Sequence, residues 1–365
     1  MIYIHIPFCE RKCNYCAFNS KIGGAEEKNS YVAALIKEIN LRGDNSKVET
    51  IYFGGGTPTT LTINQLKKIL NAVRKNFCVD ERAEITIEAN PGTIDENYLR
   101  DLKALGFNRL SLGVQSFDDE LLKILGRIHD SRVAIETVKL AKNFFANVSV
   151  DLMYGLPGQT LNKLRRDIDC IKNLDVQHVS IYGLEIEEGT KFFELARAEK
   201  LNLPDENFCA DMYDFITQTL PVLGFERYEV SNFSVKNFES RHNLGYWTGK
   251  KYFGFGAGAH SFDGKLRISN VRDVATYIEK NIPAVEEIVT RQAAMEEFCF
   301  LGLRVVKGIS AKTFEKNFGA NIFDVFGTVI EKNCRLGLLE VDGDKIFLTA
   351  RGMCLGNEVF ADFLF

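Results

Sequence analysis

Residues 48–77 read VETIYFGGGTPTTLTINQLKKILNAVRKNF, and this stretch decides the fold. Val48–Phe53 is a short run rich in β-branched and aromatic residues, the composition of a strand. Gly54, Gly55 and Gly56 close it, since glycine lets a backbone turn sharply and approach a neighbour. From Thr62 onward the apolar residues return at helical spacing, which predicts a helix over 62–77. Strand, glycine turn and helix make one β–α unit.

The unit recurs along the first half of the chain. MIYIHI (1–6), AEITIEAN (83–90), NRLSLGV (108–114), NVSVDLMYGL (147–156) and HVSIYGLEI (178–186) read as further strands. SYVAALIKEINLR, IDENYLRDLKALG, RVAIETVKLAKN and NKLRRDIDCIKNL read as the helices between them. Six strands alternating with helices predict a parallel α/β architecture. The unusual polar residues fall at or just past strand C-termini, where barrels build their sites. A partial (β/α)6 TIM-like barrel over residues 1–235 is therefore expected. Beyond about residue 200 the alternation breaks. Residues 205–224 read as a helix and FERYEVSNF (225–233) as an edge strand. An aromatic and glycine-rich connecting region is expected over 236–289. A small winged-helix-like domain is expected over 290–365, with a hairpin at Asp342–Gly343 and no basic recognition helix.

The 365 residues carry 45 basic and 49 acidic side chains, a net charge of -4. No concentrated positive face is implied, which argues against nucleic acid as a partner. No run approaches the roughly 18 apolar residues of a transmembrane segment, and MIYIHIPFC lacks the features of a signal peptide. A cytoplasmic protein is expected. There are nine cysteines, and only Cys9, Cys13 and Cys16 cluster, as CERKCNYC. In a reducing compartment such a cluster points to metal or redox chemistry. The other six are expected to be small buried hydrophobes. Three thiolates can hold three irons of a 4Fe–4S cluster and leave the fourth open. A zinc site completed by His5 is the alternative. Glu88 and Gln115 end strands that otherwise read as buried, and Asp151 lies inside an apolar strand, so each needs a partner or a ligand. Arg127 suits a bidentate carboxylate. Tyr3 lies on the strand that enters the cysteine loop.

CERKCNYC after an N-terminal strand resembles the cluster loop of radical S-adenosylmethionine (SAM) enzymes. YIHIPFC, GGGTPT, EANPGT, SLGVQSF and DLMYGLPGQT stand in the order of the oxygen-independent coproporphyrinogen III oxidases and their relatives. The resemblance implies a 4Fe–4S cluster on Cys9, Cys13 and Cys16, with SAM on its open iron. Reductive cleavage of SAM would give a 5′-deoxyadenosyl radical. It implies SAM contacts from Tyr3, Gly55, Gly56, Thr57, Glu88, Gln115, Arg127 and Asp151. Two branches are open. The oxidase branch carries a longer N-terminal arm and a further cysteine where Phe18 stands here. The radical SAM haem chaperones of the HemW family carry HNxxYW, which is HNLGYW here: His242, Asn243, Tyr246 and Trp247. That branch implies haem as cargo on His242, a client protein (a respiratory one) that accepts the haem, and an electron donor; it allows a homodimer. The competing function is oxygen-independent decarboxylation of coproporphyrinogen III to protoporphyrinogen IX.

Overall fold

Side chains alternate between the two faces of a strand, and here the two faces differ sharply in chemistry. Ile51 and Phe53, Ile85 and Ile87, Leu110, Leu112 and Val114, Val148, Val150 and Leu152, and Val179 and Ile181 are all buried in one core with the helices. Their neighbours on the opposite face are polar: Thr50, Glu84, Thr86, Glu88, Arg109, Ser111, Ser149, Asp151, His178 and Ser180. One face pays for folding through hydrophobic burial; the other is free to build a site.

The chain is described by a computed structural model over residues 1–280 and 283–364. Asn281 and Ile282 of the connecting region, and Phe365, lie outside the described residues. The six expected strands form as β1 (Ile2–Ile6), β2 (Lys47–Gly55), β3 (Cys78–Ala89), β4 (Arg109–Gln115), β5 (Val148–Tyr154) and β6 (His178–Gly183). They lie side by side in chain order, all parallel. This is an α/β architecture: a parallel sheet of β–α units with a C-terminal domain. Helices enter each crossover from capped starts. Thr62 and Gln65 form a reciprocal capping box, and Asp95, Asp118, Asp130 and Thr160 each accept a first-turn N–H. Each such cap contributes about 1 kcal/mol.

The sequence expectation for FERYEVSNF was one edge strand, and the structure divides it. β7 (Glu226–Arg227) and β8 (Asn232–Ser234) pair antiparallel, and β8 pairs antiparallel with β6. The break falls at Glu229, whose buried carboxylate accepts from the Ser231 N–H (3.0 Å) and from the Asn232 amide. A buried acid needs local donors, and the turn supplies them.

Past residue 236 the chain returns to the sheet. β9 (Phe253–Phe255) lies parallel to β1 and completes the order β7-β8-β6-β5-β4-β3-β2-β1-β9. β10 (His260–Phe262), β11 (Leu266–Asn270) and β12 (Pro283–Ile288) form a separate antiparallel sheet. Glu38, on the helix Ala25–Arg42, ties this region down. It is 4% exposed and accepts from the Gly256 N–H (2.9 Å), Asn270 Nδ2 (2.8 Å), Tyr277 O–H (2.5 Å) and Arg42 Nη1 (2.6 Å).

The C-terminal residues build a second core around Cys299, Phe314, Phe326, Ile330, Ile346 and Phe363. Helices Arg291–Gly302, Ala311–Phe318 and Ile322–Arg335 pack with β13 (Ile309–Ser310) and the hairpin β14 (Leu339–Asp342) and β15 (Lys345–Leu348). The hairpin turns where Asp342–Gly343 predicted. The Arg304 guanidinium lies 4.5 Å from the ring centre of Trp247 and joins this core to the HNLGYW helix.

Candidate functional site

The cysteine loop leaves β1 and is seated by main-chain hydrogen bonds. Gly56 N–H donates to Ile6 O (2.8 Å), Thr57 N–H to Phe8 O (2.7 Å), Cys9 N–H to Lys21 O (2.9 Å) and Asn14 N–H to Leu125 O (3.0 Å). Lys12 Nζ closes the loop from outside on Phe18 O (2.7 Å) and Ser20 Oγ (2.9 Å). A side chain on Gly55 (φ +111°) would meet the His5 ring at 2.4 Å, so the glycine turn lets β2 fit under the loop. A side chain on Gly56 would meet the main chain of Phe8 at 2.7 Å and of Ile6 at 2.9 Å.

Cys9, Cys13 and Cys16 are free thiols, half-buried. Thr57 Oγ1 donates to Cys9 Sγ (3.5 Å) and Arg127 Nη1 to Cys13 Sγ (3.2 Å). Arg127 Nη2 donates to Asn90 Oδ1 (2.6 Å) and Gly113 O (2.5 Å), while Asn90 Nδ2 donates to Thr57 Oγ1 (2.9 Å). Thr57, Asn90 and Arg127 thus form a continuous bracket between two of the thiols. The scaffold thus supplies a hydrogen-bond donor to each of these two sulfurs. Among the described residues no three His, Cys, Asp or Glu side chains converge on a single metal ion. The zinc alternative also loses its fourth ligand. His5 Nε2 is bonded to Asn19 O (2.8 Å) and Nδ1 to the Tyr3 hydroxyl (3.2 Å). Three thiols are the donor type and number that a 4Fe–4S cluster with one open iron requires.

Beside the loop lies a second group on the polar face. Tyr52 O–H donates to Glu88 Oε1 (2.6 Å) and Gly55 N–H to Oε2 (3.3 Å). Burial pushes the Glu88 carboxyl up to about 7, against the pull of the Tyr52 hydroxyl. Tyr3 stacks on Tyr52 with ring centres 6.1 Å apart. Gln115 ends β4 with φ +74°, a left-handed backbone unusual for this residue. Asp151 lies deeper, gathering the hydroxyls of Ser111 (3.1 Å) and Ser149 (3.4 Å). The strands therefore bring Tyr3, Gly55, Gly56, Thr57, Glu88 and Arg127 together with the cysteine loop, while Asp151 sits lower on a serine cluster.

His242 is seated inside the scaffold. Its ring is 1% exposed and stacked near Tyr52 (5.1 Å). Nδ1 is bonded to Thr50 Oγ1 (2.8 Å) and Nε2 to the Tyr246 hydroxyl (3.0 Å). Burial lowers its pKa to about 3, so it is neutral. One ring nitrogen therefore donates and the other accepts. Trp247 packs on the Arg304 guanidinium. The scattered cysteines depart from expectation. Only Cys299 is fully buried, and Cys78 is exposed.

A cavity of about 480 Å³ opens beside the cysteine loop, walled by Tyr3, Phe18, Tyr246, Tyr252, His260 and Arg272. Asn19 forms its floor and pins the loop to the far wall, donating to Ala257 O and Arg272 O (both 2.9 Å). Sequence reasoning missed Asn19, Asn90, His260 and Arg272. For the two asparagines the only signal was position, one just past the last cysteine and one just past a strand end.

Comparison with known proteins bears on family and fold. Residues 3–171 match the Radical SAM superfamily and residues 289–355 the HemN C-terminal domain. The Heme chaperone HemW of Bacillus subtilis (strain 168) is 40% identical, covering 99% of this chain and 98% of its own. The Heme chaperone HemW of Lactococcus lactis (strain IL1403) is 38% identical, with 99% and 96% covered. Among solved structures, the coproporphyrinogen III oxidase HemN of Escherichia coli, a radical SAM enzyme, superposes with a TM-score of 0.86. It is 24% identical over 99% of this chain and 89% of that one, a likeness of fold.

Proposed function

The chain belongs to the HemW family within the radical SAM superfamily, and from that premise we propose that it binds haem and hands it to a client protein, while its cysteine loop carries a 4Fe–4S cluster with SAM. The observation that carries the reading is the aromatic cavity opening directly beside the cysteine loop.

Cys9, Cys13 and Cys16 hold the cluster. When bound, a cluster with one open iron supplies binding sites for the amino and carboxylate groups of SAM and an electron for its sulfonium. Thr57 and Arg127 donate to the thiolates, and Asn90 bridges the two by hydrogen bonds. Glu88 is the acceptor for a ligand's amine. Its raised pKa makes it sensitive to charge, and a cationic amine draws it to the carboxylate form. Tyr3, Gly55, Gly56 and Gln115 complete the cradle for SAM, with Asp151 supporting it from below. The haem lies in the neighbouring cavity, its flat face against tyrosine rings. No helix among the described residues is long and apolar enough to cross a membrane.

The test is a haem titration of cluster-loaded protein, followed in the Soret band. Saturation at one haem per chain is expected. Binding no tighter than to an unrelated protein of similar charge would refute the reading. An anaerobic incubation with SAM, reductant and coproporphyrinogen separates the competing enzyme, since vinyl-bearing product would make this chain an oxidase.

A further inference from the structure

The chain has five histidines, and four are committed to the scaffold. His5, His129, His178 and His242 are all buried. His178 is bonded to Ser149 Oγ and the Tyr228 hydroxyl (both 2.8 Å), and His129 to Val114 O (3.2 Å). His5 and His242 have both ring nitrogens engaged. His260 differs on every count. It is exposed, its ring makes no hydrogen bond among the described residues, and it stands on the cavity wall.

Its surroundings are those that a metalloporphyrin requires. The backbone of His260 is fixed by pairing with Ser269 across β10 and β11, so the ring is presented from a rigid element. Tyr246 and Tyr252 meet edge to face at 4.8 Å and make an aromatic corner in the same cavity. Phe18, 70% exposed, adds an apolar flank. Arg272 lies on the cavity rim and its guanidinium has no carboxylate partner among the described residues. A flat apolar macrocycle with carboxylates on one edge matches an aromatic wall with a free cation beside it. A neutral imidazole is a standard axial ligand for its iron.

Resting on the haem-binding reading above, we propose that His260 is the axial ligand of the haem iron in this cavity and that Arg272 pairs with a haem propionate. His242 is then a positioning residue. Its Nε2 holds the Tyr246 hydroxyl at 3.0 Å and so sets one wall of the cavity from beneath.

The experiment compares wild type, His260→Ala, His260→Cys, His242→Ala and Arg272→Gln by haem titration and by the absorption and EPR spectra of the bound haem. His260→Ala should lose the histidine-ligated spectrum, and His260→Cys should replace it with the spectrum of a thiolate-ligated haem. His242→Ala should weaken binding on the order of 10–100-fold, the usual cost of losing a supporting partner, yet keep the histidine-ligated spectrum. Arg272→Gln should weaken haem but not haem dimethyl ester. His260 is exposed, so its replacement leaves the core intact, and unchanged circular dichroism checks this. If His260→Cys retains the wild-type spectrum, the assignment is overturned. If wild type binds no haem, the functional reading fails first, and the two failures are told apart by that control.

Discussion

Replacing Glu38 with alanine tests how the cavity wall is attached to the sheet. The carboxylate receives four donors from three parts of the chain: Arg42 on its own helix, Tyr277 on the helix Val274–Lys280, and Gly256 and Asn270 around β9 to β11. Breaking a buried ion pair by removing one member costs about 3–5 kcal/mol, because the survivor remains buried without its counter-charge. Arg42 is partly cushioned, since it also donates to Gly254 O (3.1 Å) and Ser261 Oγ (2.7 Å). The Gly256 N–H, the Asn270 amide and the Tyr277 hydroxyl have fewer options, and each unsatisfied donor costs about 1–3 kcal/mol. Allowing for the cushioning and for water entering the gap, Glu38→Ala should lose about 3–5 kcal/mol. Glu38→Gln keeps an acceptor oxygen and should lose less. Urea unfolding followed by circular dichroism measures both. A midpoint for Glu38→Ala that places it within about 1 kcal/mol of wild type would refute the reasoning.

Cys13→Ala should abolish the brown cluster absorbance after anaerobic reconstitution; full iron and sulfide content in the variant would remove Cys13 from the ligand set. The Glu88 carboxyl titrates near 7 in the folded chain, above its ordinary 4.5. Since the folded form holds its proton longer than the unfolded one, the stability of wild type relative to Glu88→Gln should fall between pH 4.5 and 7 and level off above. A difference that is flat across that window in ligand-free protein would show that Glu88 is not held in this buried setting. Arg304→Ala should lower the thermal midpoint through loss of the cation–π contact, worth about 1–2 kcal/mol when partly desolvated, and should shift Trp247 emission. Unchanged emission would place Trp247 elsewhere.

The six parallel strands were legible because each buries one face against helices and leaves the other polar, so residues such as Ile85, Ile87 and Thr86, Glu88 announce both faces at once. The cysteine loop was legible because three thiols in eight residues have few other uses. What escaped was long-range. Asn19 acts on Ala257 O across 238 residues of sequence, and nothing local to either marks the pairing. Asn90 matters only because Arg127 and Thr57 arrive on both sides of it. The connecting region hid β9 for the same reason, since three residues gain a strand's identity only from β1 beside them. His242 shows the converse. A motif likeness supplied its role, while Thr50, which helps to seat the ring, lies outside the motif.

Asn19 has a consequence for how the chain responds to its ligands. One amide grips the carbonyls of Ala257 and Arg272, and the same residue's carbonyl accepts from His5. The end of the cysteine loop and the far wall of the cavity therefore cannot shift independently. A fastening of this kind becomes thermodynamic coupling where binding at either end moves it. If filling the loop changes the affinity of the cavity by some factor, filling the cavity changes the affinity of the loop by the same factor. Cutting the fastener with Asn19→Ala would leave two sites side by side that no longer hear one another.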